Sequence, residues 1–250
     1  MTNTLGLWLV GSSGRMGGAI QKVVAGRSDM FIAGHITSAG ADRSVEEHGS
    51  PIVVVDFSSP EGCLLALRFA DQYGYPMVSG TTGLPSQTHD LIDEVSQRLA
   101  IVHAHNMSQG VQVLLHLAGL AAGSLPEWQT EILELHHQHK QDAPSGTAVS
   151  LGHAINEGRH QAPRDESTWV HGRSGHTGPR PAAELGMHAV RGGDVVGEHT
   201  VFYFGEGERI ELTHRATDRA IFARGAVRAA AWVASQPAGR YTMQHVLGLA

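Results

Sequence analysis

The chain has 250 residues, a net charge of −6 and 41% hydrophobic residues, which is typical of a globular protein with one large or two modest domains. No block of Lys or Arg stands out, so we expect no general nucleic-acid or membrane-surface binder. The single cysteine, Cys63, excludes an internal disulfide and a cysteine-rich zinc site. The most apolar stretch, residues 113–125, is too short to span a bilayer, and residues 1–10 lack the basic start of a signal peptide. We therefore expect a soluble, cytoplasmic protein.

The first hundred residues alternate between short apolar runs and amphipathic segments. A helix is predicted after residue 17, because Ala19, Ile20, Val23 and Val24 recur at helical spacing. Further strands and helices are predicted at residues 5–10, 30–36, 51–57, 62–73 (helix), 76–79, 86–99 (helix) and 100–104. This alternation predicts an α/β fold with a doubly wound parallel sheet.

The pattern changes near residue 107. Helices are predicted at residues 111–125 and 147–156, and strands at 130–135, 188–190, 199–204 and 209–216. This antiparallel α+β character predicts a second domain. A last helix at residues 222–234 is expected to pack back on the first domain. The expected domains are therefore residues 1–107 with 217–250, and residues 108–216.

A glycine motif, Gly11-x-x-Gly14-x-x-Gly17, follows the first strand and opens the first helix. Glycine permits a tight turn there and lets the backbone approach a pyrophosphate at the helix N-terminus. In this strand–turn–helix context the motif favours dinucleotide binding over a plain structural turn. Turns with small or polar residues follow three later strands: residues 57–60 and 80–83 are rich in glycine or hydroxyl groups, and residues 104–107 hold a histidine and an asparagine. The carboxyl ends of parallel strands are where such a sheet binds ligands, so these turns favour a cofactor crevice.

The carboxylate that usually binds the cofactor's ribose is missing from this sequence. It is expected about 20 residues after the glycines, where Thr37 and Ser38 stand instead. Two hydroxyls with Arg43 nearby would accommodate a 2′-phosphate, so the choice between NADH and NADPH stays open.

The most informative stretch is Glu134-x-His-His-x-x-Lys140-x-Asp-Ala-Pro-Ser-Gly-Thr147, in which two histidines and a lysine leave a strand just before a helix. Histidine titrates near neutral pH, and a lysine within one turn of it is a plausible second proton donor. A metal site built from His136, His137 and His139 is one alternative, disfavoured by the lysine and by the turn suited to an anion that follows. A solvated polar loop is the other.

The start of the following helix is a candidate anion site. Pro144 suits a position in its first turn, and Ser145 or Asp142 is a candidate cap. The amides of Gly146 and Thr147 would then form an anion pocket.

Charge is consistent with an acidic substrate. Residues 136–191 hold six Lys and Arg, five acids and eight histidines, so this segment is +1 and the rest of the chain is −7. Its clearest unit is residues 171–180 (HGRSGHTGPR), which would suit carboxylates. The alternative is solvated surface charge.

Residues 134–147 resemble the signature of the bacterial dihydrodipicolinate reductase family, also called 4-hydroxy-tetrahydrodipicolinate reductase, of the lysine and diaminopimelate pathway. The resemblance extends along nearly the whole chain and includes residues 11–17, 56–60, 80–83, 106–111, 191–200, 207–214 and 222–228.

The resemblance implies a Rossmann-type N-terminal domain, completed by the C-terminal helix, and a central mixed-sheet domain for substrate binding and oligomerisation. It implies an NAD(P)H-dependent reductase of a cyclic dicarboxylate that uses NADPH or NADH, needs no metal and assembles as a homotetramer. His136 and Lys140 would be the catalytic proton donors, and His137, Gly146 and Thr147 would bind substrate. The positions implied for the cofactor are Gly11, Ser12, Ser13, Gly14, Arg15, Met16, Thr37, Ser38, Gly80, Thr81, Thr82, Ala104, His105, Asn106 and Met107.

Three other hypotheses are open at this point. One is another two-domain dehydrogenase that acts on a small acid. The second is a cofactor-binding regulator without catalysis, which would be expected to have lost His136 or Lys140, and both are present. The third is a metal hydrolase that uses the histidine cluster.

Overall fold

A computed structural model describes residues 4–44, 49–160 and 167–250 of the chain. It divides into two compact units, one formed by Met1–Gln109 with Ala220–Ala250 and the other by Gly110–Arg219. Arg164, Asp165 and Glu166, which contribute to the charge count above, lie outside the described residues. Within the described part of the chain, no helix is both long and apolar enough to cross a membrane.

The helices and strands follow one another along the chain in an order that alternates in the first unit. In chain order they are β1 (Leu5–Val10), α1 (Arg15–Ala25), β2 (Met30–Thr37), β3 (Gly40–Arg43), β4 (Ile52–Asp56), α2 (Pro60–Tyr73), β5 (Met77–Ser79), α3 (Ser86–Ser96), β6 (Ala100–His103), α4 (Gln109–Ser124), β7 (Gln129–His136), α5 (Gly146–His160), β8 (Thr168–Val170), β9 (Glu184–Arg191), β10 (Gly197–Phe204), β11 (Arg209–Ala216), α6 (Ala220–Val233), β12 (Gly239–Tyr241) and α7 (Met243–Leu247).

The first unit is built on a seven-stranded sheet in the order β12-β6-β5-β4-β1-β2-β3. Its strand pairs are parallel except for the β2–β3 hairpin. The chain leaves β1 in one direction for β2 and then returns to β1's other side for β4, so the order reverses between β1 and β4. That reversal defines a doubly wound sheet, as the sequence predicted.

Both faces of this sheet are buried, because helices pack on each of them. Successive side chains of a strand point to opposite faces, so each strand contributes to two cores. Leu7 and Leu9 of β1 join one core with α1, α6 and α7, and Trp8 and Val10 join a second core with α2 and α3. Burial of each such side chain contributes about 1.5–3 kcal/mol to stability. The C-terminal helix α6 thus belongs to the first unit, and β12 extends its sheet beside β6.

The second unit is a five-stranded sheet in the order β11-β10-β7-β9-β8. Its inner face carries Ile132, Val201 and Tyr203, which pack in one core with α4 and α5. The antiparallel character expected from the sequence is only half right, since β7 pairs with β9 and β8 with β9 in parallel. The observed sheet is mixed because the chain crosses over by α5 before β8 and β9 are laid down.

Four short elements were missed by the sequence analysis: β3, β8, β12 and α7. They have only three to five residues each. An element of that length is too short to show a periodic pattern of apolar residues. The predicted first-turn position of Pro144 is also wrong, because α5 begins at Gly146.

Candidate functional site

The glycine turn between β1 and α1 is as tight as the sequence predicted. Gly11 has φ +79°, a conformation that L side chains rarely adopt. A Cβ on Gly17 would lie 2.5 Å from Ser12 Cα and closer still to the Gly11 carbonyl oxygen, so only glycine fits there. Gly14 caps α1 without a side-chain hydrogen bond, and the first turn of α1 holds no acidic residue. This N-terminus is therefore open to an anion, and its residues fit a dinucleotide's pyrophosphate.

The turns after β4 and β5 are tied together by a buried carboxylate, Asp56. Its Oδ2 accepts hydrogen bonds from Ser79 Oγ at 2.7 Å and from Thr81 Oγ1 at 2.8 Å, and its Oδ1 accepts one from Ser58 Oγ. Thr81 Oγ1 in turn accepts a hydrogen bond from the Ser58 amide at 3.0 Å. No role was predicted for Asp56 from the sequence. Its position at the end of β4, followed by hydroxyl residues, was the available signal.

The other predicted cofactor positions lie at the same edge of the sheet. Gly80, Thr81 and Thr82 follow β5, and Ala104, His105, Asn106 and Met107 follow β6. Since β4, β5 and β6 run parallel to β1, their carboxyl ends meet at one edge. The structure thus brings the Gly11–Met16 turn and these residues to one side of one sheet.

The end of β2 holds Thr37 and Ser38, both exposed. Thr37 Oγ1 accepts a hydrogen bond from the Ala39 amide at 3.2 Å and lies 3.3 Å from the Gly40 carbonyl oxygen. This hydroxyl stabilises the turn into β3, where Arg43 follows. Because the end of β2 holds Thr37 and Ser38, it has no carboxylate that would repel the 2′-phosphate of a cofactor.

In the second unit, Glu134 and His136 lie on the buried face of β7. The His136 Nδ1–H donates to Glu134 Oε2 at 2.5 Å. The Arg191 guanidinium binds both Glu134 oxygens at 2.8 Å, and the Ser145 amide donates to Glu134 Oε1 at 3.1 Å. Burial alone would raise the pKa of Glu134, but hydrogen bonds from Arg191 and His136 lower it overall. Glu134 is therefore ionised and joins β7, β9 and the start of α5.

His136 is held neutral by its surroundings. Burial lowers its pKa, the hydrogen bond and charge of Glu134 raise it, and the cations Lys140 and Arg191 lower it further; the net shift is downward. The His199 ring of β10 stands edge-on, with 5.2 Å between the ring centroids. Burial lowers the pKa of His199 to about 4, so this neighbour is neutral as well.

The loop after β7 places His137 and Lys140 beside this network. The His137 amide donates to the Val195 carbonyl at 2.8 Å, and the Lys140 amide donates to the His137 carbonyl at 3.1 Å. The Lys140 ammonium pairs with both Asp142 oxygens at 2.8 and 2.9 Å. The Asp142 side chain is 59% exposed, so this ion pair is a weak one.

The start of α5 follows directly. Ser145 Oγ accepts a hydrogen bond from the Ala148 amide at 3.3 Å, so Ser145 is the cap and Asp142 is not. Gly146 and Thr147 are the first two residues of α5, where the backbone N–H groups point out of the N-terminal end of the helix. Ser145 Oγ also lies 3.0 Å from His199 Nε2. Ser145 was a candidate cap in the sequence, whereas Arg191 and His199 were missed as site residues, and only their nearness to the His-His-x-x-Lys motif in the fold reveals them.

The basic loop at residues 171–180 is engaged with the chain's own acids. Arg173 and Arg180 both bind Glu131 of β7, and Arg173 also binds Glu184. Burial would raise the pKa of Glu131, but hydrogen bonds from Arg173, Arg180 and His188 lower it to about 2. These guanidinium groups are thus already paired, which argues against the idea that they bind a substrate's carboxylates.

Among the described residues, no group of three or more His, Cys, Asp and Glu side chains has the geometry to hold a metal ion. His136, His137 and His139, the set proposed for a metal hydrolase, do not converge. The His136 Nδ1 binds Glu134, and the His137 and His139 rings are 6.2 Å apart.

A doubly wound sheet with a glycine turn at its switch point, together with a separate unit that bears a His–Lys cluster, defines a nicotinamide-dependent oxidoreductase of two domains. Comparison with protein families matches residues 5–107 to the N-terminal domain of dihydrodipicolinate reductase and residues 110–247 to its C-terminal domain. The chain therefore belongs to the dihydrodipicolinate reductase family.

Individual relatives agree with this assignment. The 4-hydroxy-tetrahydrodipicolinate reductase of Nitrosomonas eutropha is 39% identical over 98% of both chains, and that of Zymomonas mobilis is 42% identical over 96% of both. Among solved structures, a dipicolinate-bound dihydrodipicolinate reductase from Paenisporosarcina aligns with a TM-score of 0.74 at 22% identity, covering 96% of this chain and 97% of that one.

The protein is thus an oxidoreductase that reduces 4-hydroxy-tetrahydrodipicolinate to tetrahydrodipicolinate with NADPH or NADH, in lysine and diaminopimelate biosynthesis. The family, the fold class, the activity and the cofactor class predicted from the sequence are confirmed. A metal hydrolase, a regulator without catalysis and a dehydrogenase of a different acid are no longer needed as explanations.

Proposed function

We propose that His136 and Lys140 handle the proton of this reduction, and that His137, Gly146 and Thr147 hold a carboxylate of the substrate. The observation that supports this most is the position of both proton-bearing groups at one end of β7, next to the start of α5. When bound, NADPH or NADH supplies the hydride. The chain itself must supply a proton and compensate the negative charge of the substrate.

The surroundings of the two groups favour different roles for them. Burial keeps His136 neutral, so at neutral pH its ring accepts a proton or a hydrogen bond. Lys140 carries the proton to be donated. Its ion pair with the exposed Asp142 is weak enough to be exchanged for a substrate.

The start of α5 suits a carboxylate for a separate reason. Backbone amides and the helix dipole both favour an anion at a helix N-terminus. Ser145 fixes this end of α5 by capping it, and the first turn of α5 holds no acidic residue. The Paenisporosarcina reductase binds dipicolinate, and we propose that a cyclic dicarboxylate of this kind binds here.

Residues 1–107 with 217–250 are proposed to form the cofactor-binding domain, and residues 108–216 the domain that binds the substrate and forms the oligomer. The cofactor positions are those named above, from Gly11 to Met107. Because Thr37 and Ser38 offer no carboxylate, we propose that NADPH is accepted at least as well as NADH.

The experiment that tests this function follows nicotinamide oxidation with the pathway's condensation product as substrate, in parallel with NADH and NADPH. Oxidation that needs the substrate is expected with both cofactors. The Thr37→Asp variant should lower the rate with NADPH about tenfold or more relative to NADH, since a carboxylate repels the 2′-phosphate. An unchanged NADPH-to-NADH ratio in this variant would remove Thr37 from the cofactor site.

The protein is proposed to be cytoplasmic. It is also proposed to assemble as a homotetramer through the open face of the second sheet. The face opposite α4 and α5 carries charged side chains such as Glu131 together with an apolar patch, in which Val190 and Phe204 are 45% and 37% exposed. The Phe202 and Phe204 rings stack on it with centroids 5.9 Å apart. An exposed apolar patch of this kind is typical of a protein–protein interface, and a second copy of the chain is the partner that the family resemblance implies.

A further inference from the structure

We propose that Glu134 is a positioning residue for the reduction: it fixes the tautomer of His136, so that Nε2 is the atom that exchanges a proton or a hydrogen bond with the substrate. This inference rests on the proposed role of His136. It goes beyond that role because it names the working atom and the group that selects it.

Glu134 is built to hold one ring nitrogen. Its side chain is 1% exposed, and both of its oxygens are occupied. Oε1 accepts from Arg191 and the Ser145 amide, and Oε2 accepts from Arg191 and His136 Nδ1. A carboxylate with these partners cannot rotate or serve as a donor. The proton of a neutral His136 must therefore lie on Nδ1, which leaves the lone pair on Nε2.

The residue beside the other nitrogen of the His136 ring is a glycine. A Cβ on Gly197 of β10 would lie 3.0 Å from His136 Nε2, tighter than almost all real Cβ contacts. Any side chain at this position would cover Nε2. The structure thus binds Nδ1 with an anion and keeps a side chain away from Nε2.

The charges that face His136 come from three strands and a loop. Glu134 of β7 is the anion, Lys140 of the loop and Arg191 of β9 are the cations, and His199 of β10 is neutral. Glu134 opposes the two cations, so without its charge the pKa of His136 would fall further. The same carboxylate holds the Ser145 amide, so it aligns the ring with the start of α5.

The test begins with Glu134→Gln. Removing a partner that orients a catalytic histidine is expected to lower kcat about 10- to 100-fold. The KM values for substrate and cofactor should stay within about threefold, because the glutamine touches neither. Any limb of the pH–rate profile that belongs to His136 should move to lower pH, since the anion that raises the pKa of this ring is gone.

A double-mutant cycle shows whether Glu134 acts through His136. If it does, Glu134→Gln should have little effect in a His136→Gln background, where no tautomer is left to fix. The matched control is Glu131→Gln. Glu131 lies on the same strand and is bound by two arginines and a histidine, but it does not contact His136. Its effect should be the same in both backgrounds, and it should leave the pH profile in place.

A second variant guards against misfolding. Glu134→Gln leaves Arg191 with a partly unpaired charge, so we combine it with Arg191→Met, which removes that charge. The double variant should fold, as judged by circular dichroism and thermal unfolding, and should still show the loss of kcat. If Glu134→Gln folds with normal kcat and an unmoved profile while His136→Gln is inactive, the positioning role is wrong and the role of His136 stands. If His136→Gln is itself fully active, the proposed function of His136 fails first.

Discussion

At the scale of the residue, the lysine content makes a sharp experiment possible. The chain has two lysines, Lys22 in α1 of the first unit and Lys140 beside the His136 network. Lys140→Ala is expected to lower kcat by about 100-fold or more, because proton transfer by a positioned side chain contributes a factor of about 10²–10⁴ to the rate. Measured by steady-state kinetics, the loss should fall on kcat with both cofactors.

Lys22→Ala is the matched control. Lys22 is exposed in the last turn of α1, and its loss removes the same charge from the chain. It should leave kcat within about twofold and cost under 0.5 kcal/mol of stability, as surface changes usually do. Near-normal turnover of a folded Lys140→Ala protein would contradict the proposed role of Lys140.

At the scale of the element, two neighbouring glycines of α1 allow the effect of the glycine turn on cofactor binding to be tested apart from the stability of the helix. A Cβ on Gly17 would collide with the backbone of the Gly11–Ser12 turn, whereas a Cβ on Gly18 would meet nothing within 4 Å. Gly17→Ala should therefore displace the turn and raise the Kd for NADPH about tenfold or more. Gly18→Ala should stabilise the protein by about 0.5–1 kcal/mol, the helix preference of alanine over glycine.

Cofactor binding can be followed by fluorescence titration of NADPH, and stability by thermal unfolding. Both variants add one methyl group to adjacent positions of one helix, so a general effect of alanine would appear in both. Equal cofactor affinity in the two variants would mean that the glycine turn does not hold the dinucleotide.

At the scale of the whole molecule, the sequence predicted the layers of the fold well. The apolar runs of β1 and β4 and the glycine turn determine a parallel sheet, and the small residues of α6 suit a helix against it. The mixed order of the second sheet was not predictable in the same way. Whether β9 pairs parallel or antiparallel with β7 depends on the crossover through α5, which no local periodicity shows.

The candidate site likewise has a part that the sequence predicts and a part that only the fold assembles. His136, His137 and Lys140 stand next to each other in the sequence, so their motif predicted them. Arg191 and His199 are 55 and more residues away in the chain and reach Glu134 and His136 only because β9 and β10 flank β7. Sequence spacing alone carries no signal for such partners, while strand order does.

The last prediction concerns assembly, which belongs to the molecule as a whole. Phe204 of β10 lies on the open face of the second sheet and is 37% exposed, as is Leu65 of α2 in the first unit. Phe204→Glu places a charge where the proposed contact would bury it, at a cost of several kcal/mol per buried ion. The register neighbour Arg209 can pair with that charge in the free chain, so folding should survive.

Sedimentation analysis measures the result directly. The wild-type protein should sediment at four times its chain mass of 26.6 kDa, and Phe204→Glu at one or two times that mass. Leu65→Glu adds the same charge at equal exposure on another surface and should keep the wild-type mass. A wild-type species of a single chain, or a Phe204→Glu protein that keeps the full assembly, would show that the open face of the sheet is not where copies of this chain meet.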